Sequence, residues 1–180
     1  QADGSEWTLR LRIPAWSAGA TIRVNGAALG SPAGPGAYAA ITRRWQPGDH
    51  VTLELAMEPH LLEAHPLIDS TRGCVAIRRG PVLYCLEQVD HQTDIMAAQI
   101  DPDAPLSAQW MPDLLGGVMV IRASGAALDL SPWDGQLYRP VGASGALDRQ
   151  PVTLTAVPYH VWGNRGPNPM RVWIPRLGVS

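Results

Sequence analysis

The side chains of this 180-residue chain with most chemical potential are five histidines, two cysteines, sixteen acidic residues and seven tryptophans. The densest titratable cluster is Glu58, His60, Glu63 and His65. Tetrahedral zinc needs three or four ligands converging at about 2.0–2.3 Å. On an extended strand Glu58 and His60 share one face while Glu63 and His65 share the other, so the four do not easily converge. The cluster reads as solvated surface. Asp101-Pro102-Asp103 offers carboxylates to Ca²⁺ but lacks the glycine and distal glutamate of a calcium loop. Glycoside hydrolysis by paired carboxylates needs two acids facing each other across a cleft, and no spacing among the sixteen acids sets up such a pair. Cys74 and Cys85 lie in apolar runs, where burial raises a thiol's pKa and leaves it inert. There is no nucleophile elbow and no phosphate loop. The residues thus assign no catalytic, cofactor-binding or metal-ligating group within the chain.

Two further features carry open alternatives. A two-residue hairpin loop at Arg79-Gly80 would bring Cys74 opposite Cys85, whereas a turn one residue away would separate them as two small buried hydrophobes. Seven tryptophans with no phenylalanine invite a sugar-binding reading, since flat aromatic faces stack on sugar rings; the alternative is core payload. Trp7, Trp45 and Trp173 sit beside apolar strands and are expected in the core. Trp16, Trp110, Trp133 and Trp162 lie near turns and are the candidates for contact with a glycan or another domain. In the turn holding Trp162, Asn164, Arg165 and Gly166, a bare turn needs only Gly or Asn. Arg165 is therefore expected to anchor it by charge-assisted hydrogen bonds, to a nearby loop carbonyl or to a partner domain.

Composition bounds what these residues serve. The chain is 46% hydrophobic and 17% charged, enough to bury a core. Net charge is −2, with no basic stripe to suggest nucleic acid and no apolar run near the ~20 residues of a membrane helix. Nothing in the sequence fixes localisation. Because it starts without an initiator Met, the chain reads as a piece of something longer.

The positioning elements are strands. Trp7–Pro14 alternates Leu9, Leu11 and Ile13 against Thr8, Arg10 and Arg12. Thr21–Val24, Tyr38–Arg44 and His50–Met57 follow, with Asn25-Gly26 and Pro47-Gly48 as turns and a small-residue loop over Ala27–Gly36. Cys74–Ile77 and Val82–Leu86 flank a Gly80-Pro81 break. Asp90–Gly117 reads as a long loop, Val118–Ala123 as a strand, and Leu128, Leu130 and Trp133 as a short strand or edge. Leu137–Gln150 reads as an irregular connection. Val152–Val157 is a strand, Pro158 a bulge or sheet edge, Tyr159–Trp162 a resumed strand, and Met170–Ile174 the last. No segment has helical period. Many short strands with Gly/Pro turns predict an all-β protein of β-sandwich architecture.

Several stretches resemble one family. They are Arg72-Gly73-Cys74-Val75-Ala76, then Arg79-Gly80-Pro81 and Tyr84-Cys85-Leu86-Glu87; Leu11-Arg12-Ile13-Pro14-Ala15-Trp16; Val24-Asn25-Gly26; Trp45 with Gly48-Asp49; Ala64-His65-Pro66; and Trp162-Gly163-Asn164-Arg165-Gly166 leading to Met170-Arg171-Val172-Trp173. Together they resemble the bacterial β-L-arabinofuranosidases of glycoside hydrolase family 127 over nearly the whole chain. His160, Gly163 and Cys74 depart from the family pattern. The resemblance implies a retaining glycosidase with an (α/α)6-barrel catalytic domain followed by β-sandwiches. It also implies a zinc-bound cysteine nucleophile in the barrel, built from Glu-x-Cys and Cys-Cys pairs. This chain has neither pair, so no catalytic residue carries over, and zinc is expected in the parent's catalytic domain alone. The implied chain is a non-catalytic C-terminal portion, inactive alone. Residues 1–65 are expected to be a partial sandwich whose first strands lie upstream, and 66–180 a C-terminal sandwich. Its partner would be the barrel of the same protein. The alternative is a carbohydrate-binding module for arabinose-containing glycans.

Overall fold

The structure, a computed structural model, describes residues 4–30, 33–143 and 146–178. Parts of two predicted loops, at Ser31-Pro32 and Ser144-Gly145, lie outside the described residues. The fold is all-β, with curled antiparallel sheets and four single-turn 3₁₀ segments. It divides into two compact units, 1–58 and 59–180.

The first unit has five strands: β1 (Glu6–Arg12), β2 (Thr21–Val24), β3 (Ala27–Ala28), β4 (Tyr38–Arg44) and β5 (Val51–Glu54). β1 pairs with β4, and β3-β2-β5 form a second sheet. Ile13, Ile22, Val24, Ala39, Ile41 and Trp45 are its core, because their period-2 spacing sends them to one face of each strand. Leu9 and Leu11 alternate as expected but are only half-buried, and Val51, Thr52, Leu53 and Leu55 are half-buried as well. Trp7 corrects a second expectation: it is 43% exposed. One side of its ring lies against Trp45, centroids 5.0 Å apart, while Trp45 itself is buried and donates Nε1–H to the Trp7 carbonyl at 3.0 Å.

Asn25 and Gly26 both have positive φ, 52° and 81°, the backbone that joins β2 to β3 through a two-residue loop. The Asn25 amide donates to Asp49 at 2.7 Å, and Asp49 also accepts the Gln46 N–H at 2.9 Å. The Gln46 N–H first, then the Asn25 amide, hold the Asp49 carboxyl below its ordinary 3.8, against a smaller upward push from burial; Arg43 adds to the lowering. A lowered folded-state pKa stabilises fully above the unfolded value and is lost as pH falls through the folded one. Asp49→Asn is therefore expected to lower the unit's melting temperature at neutral pH. The gap should close as pH drops below 3.8. Melting curves across that range check it; a pH-independent gap would mean that charge is not the cause.

The second unit has β6 (Pro59–Glu63), β7 (Cys74–Arg79), β8 (Val82–Glu87), β9 (Ala98–Ile100), β10 (Ser107–Met111), β11 (Val118–Leu128), β12 (Arg149–Pro158), β13 (Met170–Arg171) and β14 (Ile174–Pro175). They form one curled sheet in the order β10-β11-β12-β8-β7-β14, with β13 on β8, β6 on β7 and β9 on β11. From Tyr84 to Glu87, β8 is buried on both faces. Tyr84 and Leu86 join Ile77, Ile100, Ile121 and Leu154, while Cys85 joins Val118, Val120 and Val157 on the other side.

The differences from expectation have local causes. The boundary falls between Glu58 and Pro59, not at His65-Pro66, because Pro59–Glu63 pairs with Arg79–Val75. The predicted long loop contains β9 and β10; β9 is three residues long, and β10 is an exposed edge strand with no buried alternation. Leu128 closes β11, and Trp133 sits in a 3₁₀ turn (Ser131–Trp133) rather than a strand. Pro158 ends β12 opposite Tyr84, and Tyr159–Val161 is a 3₁₀ turn rather than resumed strand. The last predicted strand splits, because Met170–Arg171 pairs with β8 and Ile174–Pro175 with β7. Arg79 opposite Val82 makes Gly80-Pro81 the two-residue loop, with Gly80 at φ 56°. That register separates the cysteines: Cys74 pairs with Pro175, Cys85 with Val157, and both thiols are free.

Candidate functional site

The residues with most chemical potential meet where β8 ends. Glu87 follows the apolar run Val82–Leu86 and is fully buried. A buried carboxylate must find charge and hydrogen bonds, and the closing turn after β12 supplies them. Pro158 stops the ladder, and Gly163 and Gly166, at φ 82° and 89°, fold the chain back. Arg165 then reaches across about 75 residues of sequence. Its Nη2 donates to Glu87, and its Nη1 and Nη2 both donate to Asp90 at 2.6 Å. The Gly163 N–H at 3.4 Å and the Asn168 amide at 3.2 Å complete the Glu87 carboxylate. Hydrogen bonds donated to these carboxylates, Asp90 first, raise the Arg165 pKa and keep it charged, against an opposing effect of burial.

Among the described residues Arg165 is held by two carboxylates of the chain itself rather than by a loop carbonyl. Its Nε is buried with no hydrogen-bond partner among the described residues. Asn164 donates its amide to the Val161 carbonyl at 3.1 Å, closing the 3₁₀ turn. His91, next to Asp90, bridges two elements. Its Nε2 accepts the Thr155 N–H at 3.0 Å, which leaves the proton on Nδ1 to donate to the Glu87 carbonyl at 2.8 Å.

This cluster holds the one pair of acids that sequence spacing did not reveal, Glu87 and Asp90. Both are bound to the same guanidinium; Glu87 is fully buried and Asp90 is half-buried. Cys85 lies two residues away on the same face of β8. Burial, then the charge of Glu87, push its thiol up to about 12, against the opposing pull of Arg165. No thiolate forms there near neutral pH. His60 accepts from Arg78 Nε at 3.0 Å and His65 Nδ1 accepts the Leu67 N–H at 3.2 Å. No three His, Cys, Asp or Glu side chains gather for a metal among the described residues.

The four candidate tryptophans each have a separate neighbourhood. Trp16 is half-buried in the first unit. Trp110 is 56% exposed on β10, its ring where a Cβ on Gly117 would sit, 2.8 Å away. Trp133 lies under the Arg139 guanidinium, 3.8 Å from ring centroid. Trp162, 43% exposed, stacks on Tyr159 with centroids 6.1 Å apart. No ring contact joins any two of the four among the described residues. Trp173, expected in the core, is half-buried.

Comparison with known proteins gives this geometry a context. Residues 59–175 match the glycoside hydrolase family 127 C-terminal domain, and residues 1–57 match the GH127 middle domain of β-L-arabinofuranosidases. A non-reducing end β-L-arabinofuranosidase of Bifidobacterium longum subsp. longum is 35% identical over 170 residues, 91% of this chain and 25% of the relative. The crystal structure of a GH127 β-L-arabinofuranosidase from Geobacillus stearothermophilus T6 is 40% identical with a TM-score of 0.82, over 96% of this chain and 27% of that one. A second solved glycoside hydrolase is 33% identical with a TM-score of 0.84, over 97% and 28%. The chain therefore spans about a quarter of the length of these relatives.

Proposed function

The chain belongs to glycoside hydrolase family 127, and on that premise we propose that it is the non-catalytic β-sandwich portion of a β-L-arabinofuranosidase-like enzyme, buttressing an (α/α)6-barrel catalytic domain of the same polypeptide. One observation carries this reading: the groups at the closing turn that could do chemistry are already occupied by the chain itself. Arg165 clamps β8 to the chain's end instead of presenting its charge outward. Cys85 is held as a thiol. Zinc, which the resemblance assigns to the catalytic domain, has no converging ligand set among the described residues, and no step in this chain passes through it.

The buttress is tested on the full-length enzyme with and without residues 1–180. Deletion should lower the melting temperature of the catalytic domain, and the separate chain added back should restore part of it, as any partner that binds only the folded state does. A catalytic domain that melts at the same temperature either way would overturn the reading.

The exposed Tyr159–Trp162 stack favours one second reading, a carbohydrate-binding module for arabinose-containing glycans. Tryptophan fluorescence during titration with such oligosaccharides separates the two. A flat response fits the buttress; saturable quenching lost in Trp162→Ala fits the module.

A further inference from the structure

Asn25-Gly26 is the one Asn-Gly pair in the chain. Asparagine is a thermolabile residue, and a following glycine has no side chain to hinder attack by its amide nitrogen. The β2–β3 loop leaves that nitrogen open. Nothing lies within 4 Å of where a Cβ on Gly26 would sit, and both loop residues are exposed.

The Asn25 carboxamide, by contrast, is held at both ends. Its Nδ2 donates to Asp49 at 2.7 Å, and its Oδ1 accepts the His50 N–H at 2.8 Å. The Asn25 N–H donates in turn to the His50 carbonyl at 2.8 Å. Backbone and side chain together thus tie Asn25 to the two residues before β5, one step beyond the Val24–Val51 pair of the β2–β5 ladder. Asp49 is itself fixed by the Gln46 N–H at 2.9 Å and by Arg43 at 3.6 Å. Deamidation needs Asn25 Cγ to swing onto the Gly26 nitrogen, and it can do so only when both carboxamide bonds break.

We propose that Asn25 is a spontaneous modification site kept unreacted by Asp49 and His50, and that its conversion frees the β2–β3 turn from the Asp49-His50 segment. The chemistry needs only water. The Gly26 nitrogen bonds to Asn25 Cγ, the Cγ–Nδ2 bond breaks, and the Gly26 amide proton leaves with the ammonia. Water then opens the cyclic imide to aspartate or isoaspartate. Either product loses the native clamp. Aspartate has no amide to donate, and it sets a second carboxylate oxygen against Asp49 where the donor stood, a like-charge contact. Isoaspartate lengthens the main chain of a two-residue loop. The reaction runs one way, so a molecule that has opened and reacted once does not re-form the clamp.

Peptide mapping of the full-length protein tests the gate. During incubation at mildly alkaline pH, Asn25 should convert on the order of 10-fold or more slowly than in a free peptide spanning residues 22–28, the protection that local opening imposes. Conversion at the peptide's rate would overturn the proposal. Asp49→Ala removes one end of the clamp and should bring the rate towards the peptide's. The Arg23 amide, in phase with Asn25 along the β2–β5 ladder, should stay protected in that variant, which separates release of the clamp from unfolding. A rate equal to the wild type's would overturn the gate. Where Asp49→Ala does not fold, hydrogen exchange at residue 25 decides. Asn25→Asp should lose protection there, and adding Asp49→Asn, which exchanges donor and acceptor, should restore it. Unchanged protection in Asn25→Asp, or a loss that Asp49→Asn does not repair, would overturn the proposal.

Discussion

Replacing Arg165 with alanine should destabilise the second unit by about 3–5 kcal/mol, the range for removing one partner of a buried ion pair. Glu87 is fully buried, and without the guanidinium it keeps only the Gly163 N–H and the Asn168 amide. Asp90 loses both of its Arg165 contacts, and the closing turn loses its charged tie to the end of β8. Against a net stability of roughly 5–15 kcal/mol such a loss is large. Chemical denaturation reads it as a drop in midpoint. Adding Glu87→Gln to Arg165→Ala removes the stranded charge, and the double variant should be more stable than the single one. Equal stability would mean that Arg165 acts through Asp90 or by packing instead.

Gly125→Ala should be the second most damaging single change. Gly125 lies in β11 between two partners, opposite Val152 of β12 and Ile100 of β9. An added Cβ would sit 2.2 Å from the Gln99 carbonyl oxygen, a backbone atom that cannot rotate away. The methyl can enter only by pushing β9 off the sheet edge, where Ile100 is fully buried. Overpacking of this kind costs ~1–3 kcal/mol, and the displaced strand puts this site at the upper end. Hydrogen exchange should show lost protection at Ala98–Ile100 with little change at β12. Unchanged exchange and midpoint would mean that β9 is not held against Gly125.

Alternating strands were the legible part of this fold. Thr21–Val24 and Tyr38–Arg44 have the same bounds in sequence and structure, because one face is buried and period 2 writes itself into residue type. β8 was legible as an apolar run because both of its faces are covered. β9 and β10 were not, since one is too short and the other too exposed to pattern. The closing turn stood out through its Arg, but its partners did not. Glu87 and Asp90 lie some 75 residues away, and contact over that separation is set by topology. One signal was present all the same: Glu87 extends a wholly apolar strand, and a carboxylate in a buried run implies a buried cation. The boundary differs because Pro59 and His60 hid a strand that pairs with β7.

The most direct test of a non-catalytic chain is an assay of the purified 180 residues, with zinc and reductant, on an aryl β-L-arabinofuranoside. Retaining hydrolysis needs a nucleophile and an acid/base a few Å apart in a site that excludes bulk water. Cys85 is a buried thiol with its pKa pushed up to about 12, and Glu87 is locked to Arg165. The account predicts no release of the aryl group above background. Release abolished by Cys74→Ser or Cys85→Ser would contradict it.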